Sequence, residues 1–79
     1  MERQEILDTM NLVMTNKGRA PITDETVATR DANFRSLDFS EVALRIETKL
    51  GRELTFDAAA MRNIDTVKDV LDFFEKATA

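Results

Sequence analysis

Three stretches of the chain space their apolar residues as helices do, and the one at residues 35–51 carries a second stripe as well. Placing successive residues about 100° apart gathers Phe39, Val42, Ala43, Ile46 and Leu50 on one side, the face that an amphipathic helix turns toward a core. Leu37 and Leu44 fall nearly opposite, among Glu41, Arg45 and Thr48. Core packing has no use for leucines on a polar face. They point to a surface that meets a partner, with Ser36 at the N-terminal edge of the helix as the residue that carries whatever is exchanged.

The remaining pattern is simpler. Residues 2–16 place Ile6, Leu7, Met10, Val13 and Met14 on one face, with Glu2, Glu5 and Asp8 toward the start and Lys17 and Arg19 at the end, as the helix dipole favours. Methionines at this spacing read as core, where Met fills irregular gaps. Gly18 is the expected cap and Pro21 opposes an immediate restart. Residues 18–35 show no period; Ile22, Val27 and Phe34 are isolated apolar anchors, and Thr23-Asp24-Glu25-Thr26 is expected to begin a short helical turn. A connection this long is either functional or pinned to the core by such anchors.

Beyond Gly51 the chain turns through Arg52-Glu53 and extends at Leu54-Thr55-Phe56, and Asp57 caps a short helix running through Ala58, Ala59, Ala60 and Met61. Thr66 with Asp69 three residues on reads as a capping box for a last helix, whose stripe is Val67, Val70, Leu71 and Phe74 with Phe73 beside it. With no strand pattern, repeat or low-complexity tract, the expected fold is all-α. It is a small antiparallel bundle of three main helices plus one short helix, in a single domain spanning residues 1–79.

Composition narrows the chemistry. With no cysteine, disulfides and thiolate metal sites are excluded, and with no histidine the commonest general base and metal ligand are missing. In a 79-residue domain with little interior, this argues against an enzyme. Asp65, Asp69 and Asp72 lack the loop geometry that calcium needs and read as a solvated face. Fifteen acids against 11 bases, a net charge of −4, disfavour nucleic acid and suit a partner with a basic surface. No apolar run reaches the ~20 residues of a membrane span, and Met1-Glu2-Arg3-Gln4-Glu5 does not read as a signal peptide, so a cytoplasmic monomer is expected.

A serine at the head of a helix has a plain structural reading, because Ser is among the preferred N-caps. Here it follows a long loop, Leu37 beside it points away from the core, and a phosphodiester attached there would lie against free backbone N–H groups and the positive end of the dipole. At these residues the chain resembles the acyl carrier protein family, whose motif is Asp-Ser-Leu at the head of the second helix. The match runs through Ser36-Leu37-Asp38, Glu41-Val42, Ile46-Glu47, Leu50 and Leu54, and again through residues 64–70 at the start of the last helix. The order and lengths of helices and loops fit over nearly the whole chain.

The resemblance implies that Ser36 accepts 4′-phosphopantetheine from coenzyme A through a Mg-dependent phosphopantetheinyl transferase. The thiol of that arm would hold acyl or related intermediates as thioesters for acyl-transferring or synthase enzymes of fatty acid, polyketide or specialised metabolism. It also implies a partner-docking face at Leu37, Glu41 and Leu44, with Arg35 beside the attachment point. A sequestered cargo would pass residues such as Val42, Ile46, Met61 and Ile64. A peptidyl or aminoacyl carrier shares fold and cofactor, and an unmodified helical adaptor shares the fold alone; both remain open on these residues.

The chain departs from the pattern in three places. Arg35 stands where the family has aspartate, Ala32-Asn33-Phe34 replaces the usual Leu-Gly, and Ser40 replaces an aliphatic residue. Ser40 is also a rival attachment site, but aligning on it breaks the downstream match. Between Arg30 and Arg52 there are five bases (Arg30, Arg35, Arg45, Lys49, Arg52) and four acids (Asp31, Asp38, Glu41, Glu47), a mixed charge that points to a specialised carrier with its own partners.

Overall fold

The computed structural model describes residues Met1–Ala79 and contains four helices: α1 (Arg3–Asn16), α2 (Ser36–Leu50), α3 (Ala58–Arg62) and α4 (Val67–Ala77). No strand forms, so the all-α expectation holds. Ion pairs between helix ends fix the directions. Lys49 near the end of α2 reaches Glu5 near the start of α1 at 2.9 Å, and Lys17 just past α1 reaches Asp38 at the start of α2. These two helices therefore run antiparallel. Arg3 opens α1 and holds Asp72 and Glu75 of α4 at 2.7 and 2.6 Å, which sets α4 antiparallel to α1 as well.

The apolar stripes form one core of 15 buried side chains. α1 contributes Ile6, Met10, Val13 and Met14, all fully buried, so the methionines are packing residues. α2 contributes Phe39, Val42, Ala43 and Ile46, and α4 contributes Val67, Val70, Leu71 and Phe74. Burying one side chain of the size of Phe74 stabilises the fold by about 1.5–3 kcal/mol. Leu7 and Leu50, expected in the core, sit half-buried at its margin. Phe39 stacks on Phe74 with ring centroids 4.9 Å apart, and Phe56 and Phe73 complete a four-ring cluster between α2 and α4.

α2 is capped by Gly51 in the left-handed region at φ 70°, whereas α1 is capped by Lys17 rather than by the expected Gly18, which follows one residue on at φ 73°. Nothing lies within 4 Å of where a side chain would point at Gly51. Gly51→Ala is therefore expected to cost only the backbone strain of that conformation, about 1 kcal/mol. In a domain of this size that lowers the thermal midpoint by about 4–8 °C, measurable by circular dichroism.

The loop of residues 17–35 is pinned as its anchors suggest, with Ile22 and Phe34 buried and Val27 half-buried against the core. The helical turn expected at Thr23–Thr26 does not form. Asp24 instead folds back, accepting from the backbone N–H and hydroxyl of Thr26 at 2.9 and 2.7 Å, a local turn that competes with helix. The loop then straps across the start of α4. Thr29 N–H donates to Asp65 O at 2.9 Å, Val67 N–H to Val27 O at 3.0 Å, and Lys68 N–H to Glu25 O at 2.7 Å. Thr66 and Asp69 form the expected capping box, at 3.0 and 3.2 Å.

Candidate functional site

The loop delivers Ser36 to the first position inside α2, with Arg35 as the N-cap. This corrects the plain reading of Ser36 as a capping residue. The cap is made from within the helix: the Asp38 carboxylate accepts from Arg35 N–H at 2.8 Å. Ser36 is exposed and stands outside that network, so its hydroxyl is open to solvent. The N–H groups of Ser36 and Leu37 precede the first intrahelical bond, which Phe39 N–H makes to Arg35 O at 3.0 Å.

Asp38 organises the ground beneath the serine. Its carboxylate is 1% exposed and is held by Lys17 Nζ and Arg19 Nη1, each donating at 2.5 Å. Arg19 also donates to Asn33 O at 3.1 Å, where the loop passes through a left-handed conformation just ahead of α2. Burial pushes the Asp38 carboxyl up. The Lys17 ammonium, the Arg35 N–H and the Arg19 guanidinium together outweigh it and hold the group below the usual carboxylate range. Along the sequence Asp38 counts only as one of the four acids between Arg30 and Arg52 and as part of the Ser36-Leu37-Asp38 match, and not in this role. The local signal was present, because Asp three residues past an N-cap is where a capping carboxylate belongs. The pairing with Lys17 and Arg19 had none.

On the outer face of α2 the two leucines stand clear of the core, as their phase along the helix predicts. Leu37 is 80% exposed and Leu44 63%, so neither contributes to the core. Glu41 lies between them, 3.6 Å from Lys17 and 3.8 Å from Arg45. Arg35 is exposed; its Nε donates to Asn33 Oδ1 at 3.2 Å and it forms no ion pair. Ser40 is exposed one turn into the helix.

Beside Ser36 a groove of about 120 Å³ opens between α2, α3 and α4, lined by Thr29, Phe39, Met61, Ile64 and Val70 among others. Met61 and Ile64 line this groove, whereas Val42 and Ile46 are buried in the core. The groove is well under the ~300 Å³ of sites that enclose a drug-sized ligand, and Phe39 ties its floor to the aromatic cluster. Asp65, Asp69 and Asp72 form no cation site: Asp69 caps α4, and Asp72 pairs with Lys68 and Arg3. No helix is long and apolar enough to cross a membrane.

No protein-family model matches the chain. An acyl carrier protein of Coprothermobacter proteolyticus is 33% identical over 78 residues, covering 95% of this chain and 93% of that protein. The chain belongs to the acyl carrier protein family. The crystal structure of an acyl carrier protein from Thermotoga maritima superposes with a TM-score of 0.73 over 99% of this chain and 92% of its own, at 22% identity. That likeness establishes the acyl carrier protein fold for the whole bundle, short third helix included.

Proposed function

We propose that this acyl carrier protein family member is a carrier, not an enzyme, modified with 4′-phosphopantetheine on Ser36. The observation that carries the reading is the placement of Ser36: exposed at the first turn of α2, at the mouth of a groove, with capping taken over by Asp38. The residues around it fit such an arm. Free N–H groups at a helix start favour the phosphodiester, and the apolar lining of the groove suits the less polar remainder of the arm. When bound, the arm supplies a thiol that holds acyl or related intermediates as thioesters, chemistry this chain cannot provide because it has no cysteine. Leu37, Glu41, Leu44 and Arg35 form the surface that meets a phosphopantetheinyl transferase and the acyl-transferring or synthase enzymes.

The test is direct. Incubation with coenzyme A, Mg²⁺ and a broad-specificity phosphopantetheinyl transferase, and separately with the host's own transferase, is expected to add one phosphopantetheine by intact mass. No gain with either enzyme reduces the chain to an unmodified helical adaptor.

A further inference from the structure

The charge of the whole chain, −4, favours a basic partner, yet the face around Ser36 does not share that sign. All the carboxylates within α2 are engaged internally. Asp38 is buried under Lys17 and Arg19, Glu41 is bracketed by Lys17 and Arg45, and Glu47 accepts from Leu54 N–H at 2.7 Å. The cations are less committed. Arg35 has no acidic partner, and Arg45 reaches Glu41 only at 3.8 Å while sharing it with Lys17. A molecule arriving over Ser36 therefore meets Leu37 and Leu44 edged by guanidinium groups, with the one carboxylate between them, Glu41, offset by Lys17 and Arg45.

Resting on the reading that Ser36 is modified by an enzyme that must cover it, we propose that the proteins acting on this carrier dock on α2 through an acidic patch around an apolar recess. The recess takes Leu37 and Leu44, and the acids face Arg35 and Arg45. Complementary charge at the edge of such a contact chiefly sets the association rate and the choice of partner. A protein suits this face better than a lipid surface does. Two leucines and two weakly engaged arginines on a short helix supply too little apolar area and charge for stable membrane binding.

The experiment measures kcat/KM for modification by the host's phosphopantetheinyl transferase, read by intact mass, at low and high salt. Wild type is expected to slow as salt rises, and Arg35→Asp and Arg45→Glu each to fall about fivefold or more at low salt. Lys76→Glu, at an exposed position in the last turn of α4, is expected to stay within about twofold. Arg45→Gln removes the charge without setting a second acid beside Glu41, and is expected to fall about twofold. Rates that rise or hold in the arginine variants overturn the proposal, since a basic docking patch would gain from losing those charges. Binding of wild type, lost in Arg45→Glu, to phosphatidylserine vesicles also overturns it, in favour of a membrane. Absence of any modification of wild type overturns the carrier reading itself, a result distinct from both.

Discussion

Replacing Ser36 with alanine is expected to abolish the gain of phosphopantetheine and to leave the fold in place. The two halves of this expectation have separate causes. Attachment needs a nucleophilic oxygen at the head of α2, and alanine removes it. The fold does not depend on that oxygen, because Ser36 is exposed and the cap of α2 is built from Asp38 and Arg35 N–H. Unfolding free energy should therefore move by no more than about 0.5 kcal/mol, as for surface substitutions away from special features. Had Ser36 been the N-cap, its loss would have cost about 1 kcal/mol. Intact mass after incubation with coenzyme A and transferase, paired with a urea titration, reads both quantities. Ser40 is the rival: it is exposed one turn on, but deeper in the helix and away from the groove mouth. A gain that survives Ser36→Ala and disappears in Ser40→Ala moves the attachment point there.

The division between what the sequence discloses and what it hides tracks the range of the interactions. The stripes of α1, α2 and α4 are local periodicities, and each core residue they nominate on α4, from Val67 to Phe74, is buried. The outward leucines of α2 are legible for the same reason, as residues at the wrong phase for a core. The cap of α4 is legible because Thr66 and Asp69 lie within one turn of each other. Non-local pairs leave no such trace. Arg3 joins Glu25, Asp72 and Glu75 across as many as 72 positions, and nothing in its neighbourhood announces that convergence. The strap between residues 25–29 and the start of α4 is equally silent, being backbone hydrogen bonding without a side-chain period. At the candidate site the serine and its flanking leucine were readable and the support beneath them was not. Local chemistry placed Asp38 at the third position of the helix, but only folding brings the end of α1 against it and turns a surface acid into a buried one.

That support carries the largest expected loss of stability. Asp38→Ala removes the acceptor shared by Lys17, Arg19 and Arg35 N–H, and so releases the C-terminal end of α1, the loop exit and the start of α2 together. Breaking a buried ion pair by deleting one partner costs about 3–5 kcal/mol when the remaining charge stays buried. Here Lys17 and Arg19 are 31% and 24% exposed and can turn to water, which brings the expected cost to about 2–3 kcal/mol. Against the ~3–5 kcal/mol that a core of this size supplies, that is most of the stability. Lys17→Met and Arg19→Met should each cost less, because the carboxylate keeps its other two donors. The acid side of the pH profile is set by the same contacts. The folded-state value of Asp38 lies below its unfolded value of about 3.9, so its contribution is fully present above that value. It disappears as pH falls through the lower folded-state value, where protonation frees both cations. Glu5, Asp24, Asp69 and Asp72 are held low too, by Lys49, by Thr26, by the N–H groups of Asp65 and Thr66, and by Lys68 with Arg3, so wild type should lose stability steeply in acid. Urea titrations of wild type and Asp38→Ala at pH 7 and pH 3 separate the contributions. The difference between the two proteins should shrink at pH 3, and a difference that stays constant would show that Asp38 acts through packing rather than through its charge.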